Sequence, residues 1–240
     1  MSFTRIIQVT DIHLANKPNG KALGLYPEAC FRQVISDVHS LDKPADLVLA
    51  TGDLANDGSC EAYTRLREMF LEFNIPVFVI PGNHDCVENM KSSLVMNPIR
   101  MEQQTEIGGW KIVFLNSQVI DAEHGFIDAD GFAQLHEAID VAGNQPLLIA
   151  LHHSLTPECG TSGCQLTNAE ELLSLCSEHG NIKAMISGHT HCQTEQDHAG
   201  IKLLTTPSTF LHVTHAKPSE SEDHENFMMS HSFDAAKYGY

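Results

Sequence analysis

The sequence predicts an α/β protein on two observations. Short apolar runs of strand length alternate with longer helix-like segments, and each run gives way to polar, glycine-containing residues. The first run, Arg5–Val9, leads into Thr10-Asp11-Ile12-His13; the second, Asp46–Ala50, into Thr51-Gly52-Asp53; the third, Pro76–Ile80, into Pro81-Gly82-Asn83-His84-Asp85. Leu147–Ala150 runs into Leu151-His152-His153, and Ile182–Ile186 into Ser187-Gly188-His189-Thr190-His191. All five runs read as buried strands. Between them Pro27–Leu41 carries proline near a first turn, and Cys60–Phe73, Phe132–Val141 and Ala169–His179 are helix-like, the last capped by Thr167 or Asn168. Two hairpins add an antiparallel contribution: Thr105–Ile107 turns at Gly108-Gly109 into Trp110–Leu115, and Gln193–Gln196 turns near Ala199-Gly200 into Ile201–Thr205.

With 240 residues, 42% hydrophobic and 19% charged, the chain has the makeup of a soluble globular protein, and one domain over 1–240 is expected, with a polar acidic loop near 216–226. Lys+Arg 14 against Asp+Glu 31 gives a formal net charge of -17, which opposes nucleic-acid binding and attraction to anionic membranes. A small phosphorylated substrate remains compatible where a local cation attracts it. No stretch reaches the ~20 apolar residues of a membrane span. The N-terminus has no signal-like apolar region, and the seven cysteines (Cys30, Cys60, Cys86, Cys159, Cys164, Cys176, Cys192) are scattered, which predicts a cytoplasmic protein with free thiols. Cys159 and Cys164 lack a second pair at zinc spacing.

Chemistry gathers at the strand ends. Asp and His are costly beside a buried sheet unless paired or bound to metal. In open α/β sheets ligands bind outside the carboxyl ends of the strands, so the five clusters converge on one rim. Together they offer carboxylates from Asp11 and Asp53, an amide oxygen from Asn83, and imidazoles from His13, His152, His189 and His191. This mixture of oxygen and nitrogen donors suits two first-row ions such as Mn, Fe, Zn or Co better than Mg or Ca. In Asp-x-His and His-x-His the outer side chains share one side if the backbone is extended. The glycines before Asp53, Asn83 and His189 allow sharp turns and leave room for substrate.

Asp11-Ile-His13, Gly52-Asp53, Gly82-Asn83-His84-Asp85, His152 and Gly188-His189-Thr-His191 resemble the calcineurin-like metallophosphoesterase family, over nearly the whole chain. Ala50–Leu54, Asn116-Ser-Gln118, His124-Gly125, Leu151-His-His153 and Thr206–Thr209 are similar to its bacterial cyclic AMP phosphodiesterase branch, the CpdA or Icc type. The resemblance implies a four-layer α/β/β/α sandwich of the metallophosphoesterase type. It also implies that Asp11, His13, Asp53 and His191 hold one metal, Asp53 bridging to a second held by Asn83, His152 and His189. The implied cofactors are two divalent or trivalent ions, Fe and Mn first, and the implied activity is hydrolysis of 3′,5′-cyclic nucleotides, cAMP foremost, by a metal-bridging hydroxide.

His84 is then the general acid for the departing 3′ oxygen, and Asn83, His84 and His191 meet the substrate. Its orienting partner is open among Asn56, Asp57 and Asp85. Many relatives carry an Asp where this chain has Asn56. His153 either supports its neighbour His152 or sits in the core, and His124 either touches the phosphate or lines a loop. Phe210 either stacks on a base or belongs to the core, and His212 and His215 follow the Thr206–Thr209 loop, which would wall the pocket. The competing readings are a broad phosphodiesterase or phosphomonoesterase, and a non-catalytic metal-binding scaffold. The expected partner is a small cyclic nucleotide, with a homodimer as the assembly. Relatives of this type usually continue past the position of Tyr240 with another strand or hairpin, so the chain is either naturally short or truncated; if a strand is missing, an open sheet edge that pairs with another chain or lowers stability is expected there.

Overall fold

The computed structural model describes residues 3–156 and 165–211. Four parallel strands form one sheet in the order β1 (Ile6–Val9), β2 (Leu47–Thr51), β3 (Val77–Ile80) and β4 (Ile99–Arg100). Helices α1 (Pro27–His39), α2 (Cys60–Leu71) and α3 (Val87–Ser93) connect them. The second sheet contains β5 (Gln104–Ile107), β6 (Trp110–Phe114), β7 (Leu147–Ala150), β8 (Ile182–Ser187), β9 (Thr194–His198) and β10 (Ile201–Thr205), ordered β5-β6-β7-β8-β10-β9. Helices α4 (Ala129–Ala142) and α5 (Ala169–Ser177) join its parallel inner strands. The two expected hairpins place β5 and β9 antiparallel at its edges.

The alternation of side chains along each strand builds the layers. In β2, Val48 and Ala50 pack on the helix side while Leu47 and Leu49 face the other sheet; in β3, Val77 and Val79 divide from Phe78 and Ile80 in the same way. In β7, Leu147 and Ile149 meet the helices, while Leu148 and Ala150 join the layer between the sheets. Phe78 stacks on Phe114 across that layer, with centroids 5.2 Å apart and planes at 14°. The result is the α/β/β/α sandwich. Strands buried on both faces give unbroken apolar runs, whereas edge strands β5 and β9 alternate between half-buried and exposed residues.

Local chemistry shifts several element boundaries. α4 begins before Phe132 because the Asp128 carboxylate accepts the Gly131 N–H at 2.8 Å, capping the first turn. Asn168 stands at the N-cap of α5 but caps nothing with its side chain; its amide instead pairs with both backbone groups of Ile127, at 3.0 and 2.9 Å. α3 and the two-residue β4 are too short to leave a periodic signal, and the sequence reading omits them.

Free thiols are found at Cys30, Cys60, Cys86 and Cys176, but Cys192 is disulfide-bonded, which corrects the expectation for that residue. Pairing depends on approach in space, which spacing along a chain does not reveal. Cys159, Cys164, His212, His215, the 216–226 loop and the C-terminal edge lie outside the described residues. Among the described residues no helix is long and apolar enough to cross a membrane.

Candidate metal centre

The ends of β1, β2, β3, β7 and β8 carry all seven proposed ligands to one place. Nε2 of His13 lies 3.3 Å from Nε2 of His191 and 3.5 Å from Oδ2 of Asp53. His191 in turn lies 3.3 Å from Oδ1 of Asp11. On the other side of Asp53, Oδ1 is 3.5 Å from Nε2 of His152, which stands 3.1 Å from Oδ1 of Asn83 and 3.2 Å from Nδ1 of His189. Donors around one ion at bonds of about 2.1 Å are separated by roughly 3.0 to 3.4 Å in octahedral or tetrahedral arrangements. The other contacts have that spacing, the two to the shared Asp53 are only slightly longer at 3.5 Å, and so the centre fits two ions. Asp11, His13 and His191, and likewise Asp11, Asp53 and His152, form sets able to hold a metal.

The backbone reaches this convergence differently from the expected extended pairs. Asp11, His13, Asp53, His189 and His191 all adopt positive φ, at 52, 48, 51, 68 and 54°, whereas Ile12 and Thr190 do not. Left-handed residues alternate with ordinary ones, so Asp-x-His and His-x-His converge through successive tight turns rather than along a pleat. Each non-glycine residue held there costs on the order of 1 kcal/mol or more, a cost that collects at functional sites. The preceding glycines leave room for ligands rather than for substrate. A Cβ would run into the His152 ring at Gly52, the Asp53 carboxylate at Gly82, and Thr10 and Asp11 at Gly188.

Hydrogen bonds fix which atoms face inward. Nδ1 of His152 donates to the Thr51 carbonyl at 2.8 Å, leaving Nε2 for the centre. Asp11 accepts from the Thr10 hydroxyl at 2.7 Å and the His189 N–H at 2.9 Å, and Asp53 accepts from the His84 N–H at 2.9 Å. Burial works against the Asp11 charge, yet His191 and His152 hold its carboxyl down at about 2. Asp53 is likewise well below the carboxylate range, because His152 and His13 outweigh burial. Burial pushes His13 and His189 down to about 4. His152 rises to about 9 because Asp53 outweighs burial, and Asp11 raises His191 in the same way. A cation entering the centre competes with protonation of both rings.

His84 is exposed at the rim, its ring 4.8 Å from that of His13. Nδ1 of His84 meets the main-chain carbonyl of Asn56 at 3.0 Å, so a backbone group fills the position considered for the Asn56 or Asp57 side chain. The Asp57 carboxylate accepts instead from Asn16, at 2.8 Å, and from the Ser59 N–H, at 3.2 Å. Asp85 faces inward, accepting the N–H groups of Leu54, Ala55 and Gly82 at 3.1, 3.0 and 2.9 Å and the Tyr63 hydroxyl at 2.7 Å. It thereby ties the loop after β2 to the loop after β3, and burial followed by the Asp53 charge raises it to about 6.

His153 is buried behind the centre, its ring 4.9 Å from His152 and 4.7 Å from His189, and Nδ1 pairs with Ser117 at 2.8 Å. Gly125 leaves the space that ring occupies. Gln118 completes the support, donating to the Gly82 and Asp85 carbonyls at 2.7 and 2.6 Å. A residue the sequence reading missed, Gln8 of β1, clamps the sheets beneath the centre. Its Nε2 donates to Thr51 and to the Ser187 carbonyl at 2.9 and 3.0 Å, and its Oε1 accepts from Thr206 at 2.6 Å. A polar residue inside an apolar strand run was the available signal.

Above the centre lies a cavity of about 280 Å³ whose lining includes His13, Asp53, Asn83, His84, His189 and His191. Leu23, Asn56, Glu123 and Phe210 complete it. His124 is half-buried outside the lining; its neighbour Glu123 takes that place.

The profile described as calcineurin-like phosphoesterase matches residues 4–193. The chain is 33% identical over 210 residues to a 3′,5′-cyclic adenosine monophosphate phosphodiesterase of Haemophilus influenzae, covering 86% of this chain and 77% of that one. It is 30% identical over 207 residues to the Pseudomonas aeruginosa protein of the same name, covering 85% and 75%. Among solved structures, a dimetal phosphatase from Danio rerio superposes with a TM-score of 0.67 at 15% identity over 86% of this chain and 88% of that one. TT1561 of Thermus thermophilus gives 0.62 at 11% over 87% and 91%. These two likenesses bear on the fold. With the profile spanning most of the chain and the strand-end ligands converging on one rim, the protein belongs to the calcineurin-like phosphoesterase family.

Proposed function

We propose that the protein is a dinuclear metal-dependent phosphodiesterase that opens 3′,5′-cyclic nucleotides, cAMP foremost, to 5′-monophosphates. The observation that carries this reading is the pair of donor groups sharing Asp53 beneath a cavity at the small end of ligand-pocket sizes, about 280 Å³. The cyclic AMP phosphodiesterase names of the Haemophilus influenzae and Pseudomonas aeruginosa relatives support the substrate class. In this reading Asp11, His13, Asp53 and His191 hold one ion and Asp53, Asn83, His152 and His189 the other, with Fe and Mn the ions that suit the mixed donors. Bound there, the ions supply an acidified water and neutralise charge on the phosphoryl oxygens.

The chain's own residues do the rest. Asn83, His84 and His191 line the cavity and position the cyclic phosphate. As the water oxygen bonds to phosphorus, the bond to the 3′ oxygen breaks, and that oxygen needs a proton. Nδ1–H of His84 is committed to the Asn56 carbonyl, so Nε2 is the atom that delivers it. The carbonyl orients the ring as a carboxylate would, without adding a charge beside Asp53.

The test is turnover of 3′,5′-cAMP beside bis(p-nitrophenyl) phosphate by metal-stripped protein reloaded with Mn²⁺. A kcat/KM for cAMP well above that for the generic diester, abolished in Asn83→Ala, is the expected result. Replacing His84 with Ala is expected to lower kcat by about 10²- to 10⁴-fold while both ions stay bound. Equal turnover of both diesters points to a broad phosphoesterase, and no turnover with metals bound points to a scaffold.

A further inference from the structure

Leu23 stands out among the cavity-lining residues. It is 79% exposed, although it is a large apolar side chain at the mouth of a charged site. Its backbone has φ 49° and the next residue, Gly24, has φ 84°. Ala22 and Leu25 close the turn with reciprocal N–H to carbonyl bonds of 3.1 and 3.0 Å. Two positive φ values inside a closed two-residue loop are the signature of a type I′ turn, which favours Asn-Gly and disfavours leucine at its first position. The chain therefore accepts backbone strain and solvent exposure at one residue, and a strained residue over an active cleft is a sign of function.

The segment that leads into the Leu23 turn is tied down. Arg65 of α2 donates to the carbonyls of Ala15, Asn16 and Lys17, the last two at 2.9 and 3.3 Å, and the Gly20 N–H closes on Lys17 at 2.9 Å. The second large apolar residue of the cavity, Phe210, is equally anchored. Its ring lies 5.5 Å from that of His13 and 6.1 Å from that of His191. Ser208 accepts the Phe210 N–H at 3.2 Å and donates to the Asp11 carbonyl at 2.7 Å, tying this wall to a proposed metal ligand. Phe210 is 8% exposed and backs two proposed ligands while still lining the cavity; Leu23 takes no part in the metal centre.

We propose that Leu23 and Phe210 form an apolar subsite that packs on the nucleobase of the substrate and so sets the preference for a nucleotide over a base-free phosphodiester. This rests on the phosphodiesterase reading above. A phosphate or ribose gains nothing from two hydrocarbon surfaces, whereas the faces of a purine do. The preorganised walls limit the ordering cost of binding, so the contact is felt chiefly in KM.

The experiment compares 3′,5′-cAMP with methyl ribofuranoside 3′,5′-cyclic phosphate, the same cyclic diester without a base, in Mn²⁺-loaded wild type, Leu23→Asn and Phe210→Leu. Asn suits the left-handed turn, so Leu23→Asn keeps the loop. The ratio of kcat/KM for cAMP to that for the base-free diester is expected to fall by about five- to thirtyfold in Leu23→Asn, mainly through KM, and in the same direction in Phe210→Leu. A wild-type ratio near one, or a ratio unmoved in both variants, overturns the subsite and leaves the phosphodiesterase reading standing. If wild type hydrolyses neither compound, that underlying reading fails, and calorimetric binding of adenosine 5′-phosphate against ribose 5′-phosphate decides the subsite. A preference for the adenosine compound that Leu23→Asn removes upholds it, and equal binding overturns it.

Discussion

The two sheets bring different chemistry to the same rim. The four-stranded sheet supplies the oxygen donors Asp11, Asp53 and Asn83, and the six-stranded sheet supplies the imidazoles His152, His189 and His191, with His13 the one nitrogen donor of the first sheet. Each proposed ion draws ligands from both sheets, so neither sheet holds a full set alone. The layer between the sheets has the smallest apolar cluster among the described residues. Among the described residues, 11 buried apolar side chains fill that layer, against 24 and 19 on the two helix-facing sides. The polar clamp of Gln8 and the proposed metal centre lie at the end of this smaller layer, where bound ions would cross-link the two sheets.

Breaking the shared point of the two donor groups carries the largest expected effect. Asp53→Ala removes the one side chain common to both, and is expected to lower kcat/KM by more than the about 10- to 100-fold that loss of a supporting residue causes, with both ions lost. Phe78→Ala attacks the same junction from its apolar side, where Phe78 stacks on Phe114. A loss of about 3–5 kcal/mol in urea unfolding is expected. Removing a single ion is a gentler cut. At an ion concentration a hundredfold above Kd, each ion lost costs about 2.7 kcal/mol, which calorimetry should register as a fall of roughly 5–10 °C in Tm per ion.

The helix-facing half of each sheet was legible in the sequence, since fully buried strands leave unbroken apolar runs and their ends leave Asp and His together. The gathering of Asp and His at the strand ends was legible because such residues are costly beside a buried sheet unless paired or bound. What the sequence hid depends on contacts distant along the chain. The main-chain carbonyl of Asn56 beside His84 carries no residue-type signal. The strained turn at Leu23 breaks the sequence preference of its own turn type. The left-handed turns at Asp11, His13, His189 and His191 look in the sequence like alternating strand positions.

Smaller effects sharpen the comparison. Gln118 of the second half holds the Asn83 loop of the first through two carbonyls. Its replacement by Ala is expected to weaken Mn²⁺ binding about 10- to 100-fold with little change in Tm, a split that metal titration beside calorimetry resolves. In metal-free protein the Asp53–His152 contact across the sheets also gives a pH dependence. The folded pKa of His152 is raised from 6.5 to about 9, so its stabilisation is complete below pH 6.5 and is lost as pH rises through about 9. Urea midpoints of the stripped protein should therefore fall between pH 7 and 9.5. Mn²⁺ affinity should rise over the same interval, because ions bind only the deprotonated ring.

The central claim, that the two sheets together build a two-ion centre around Asp53, is tested most directly by metal stoichiometry. Elemental analysis of protein dialysed against Mn²⁺ is predicted to give two ions per wild-type chain, falling to one in Asn83→Ala and to none in Asp53→Ala. One ion or none in wild type, or two retained in Asp53→Ala, contradicts the account.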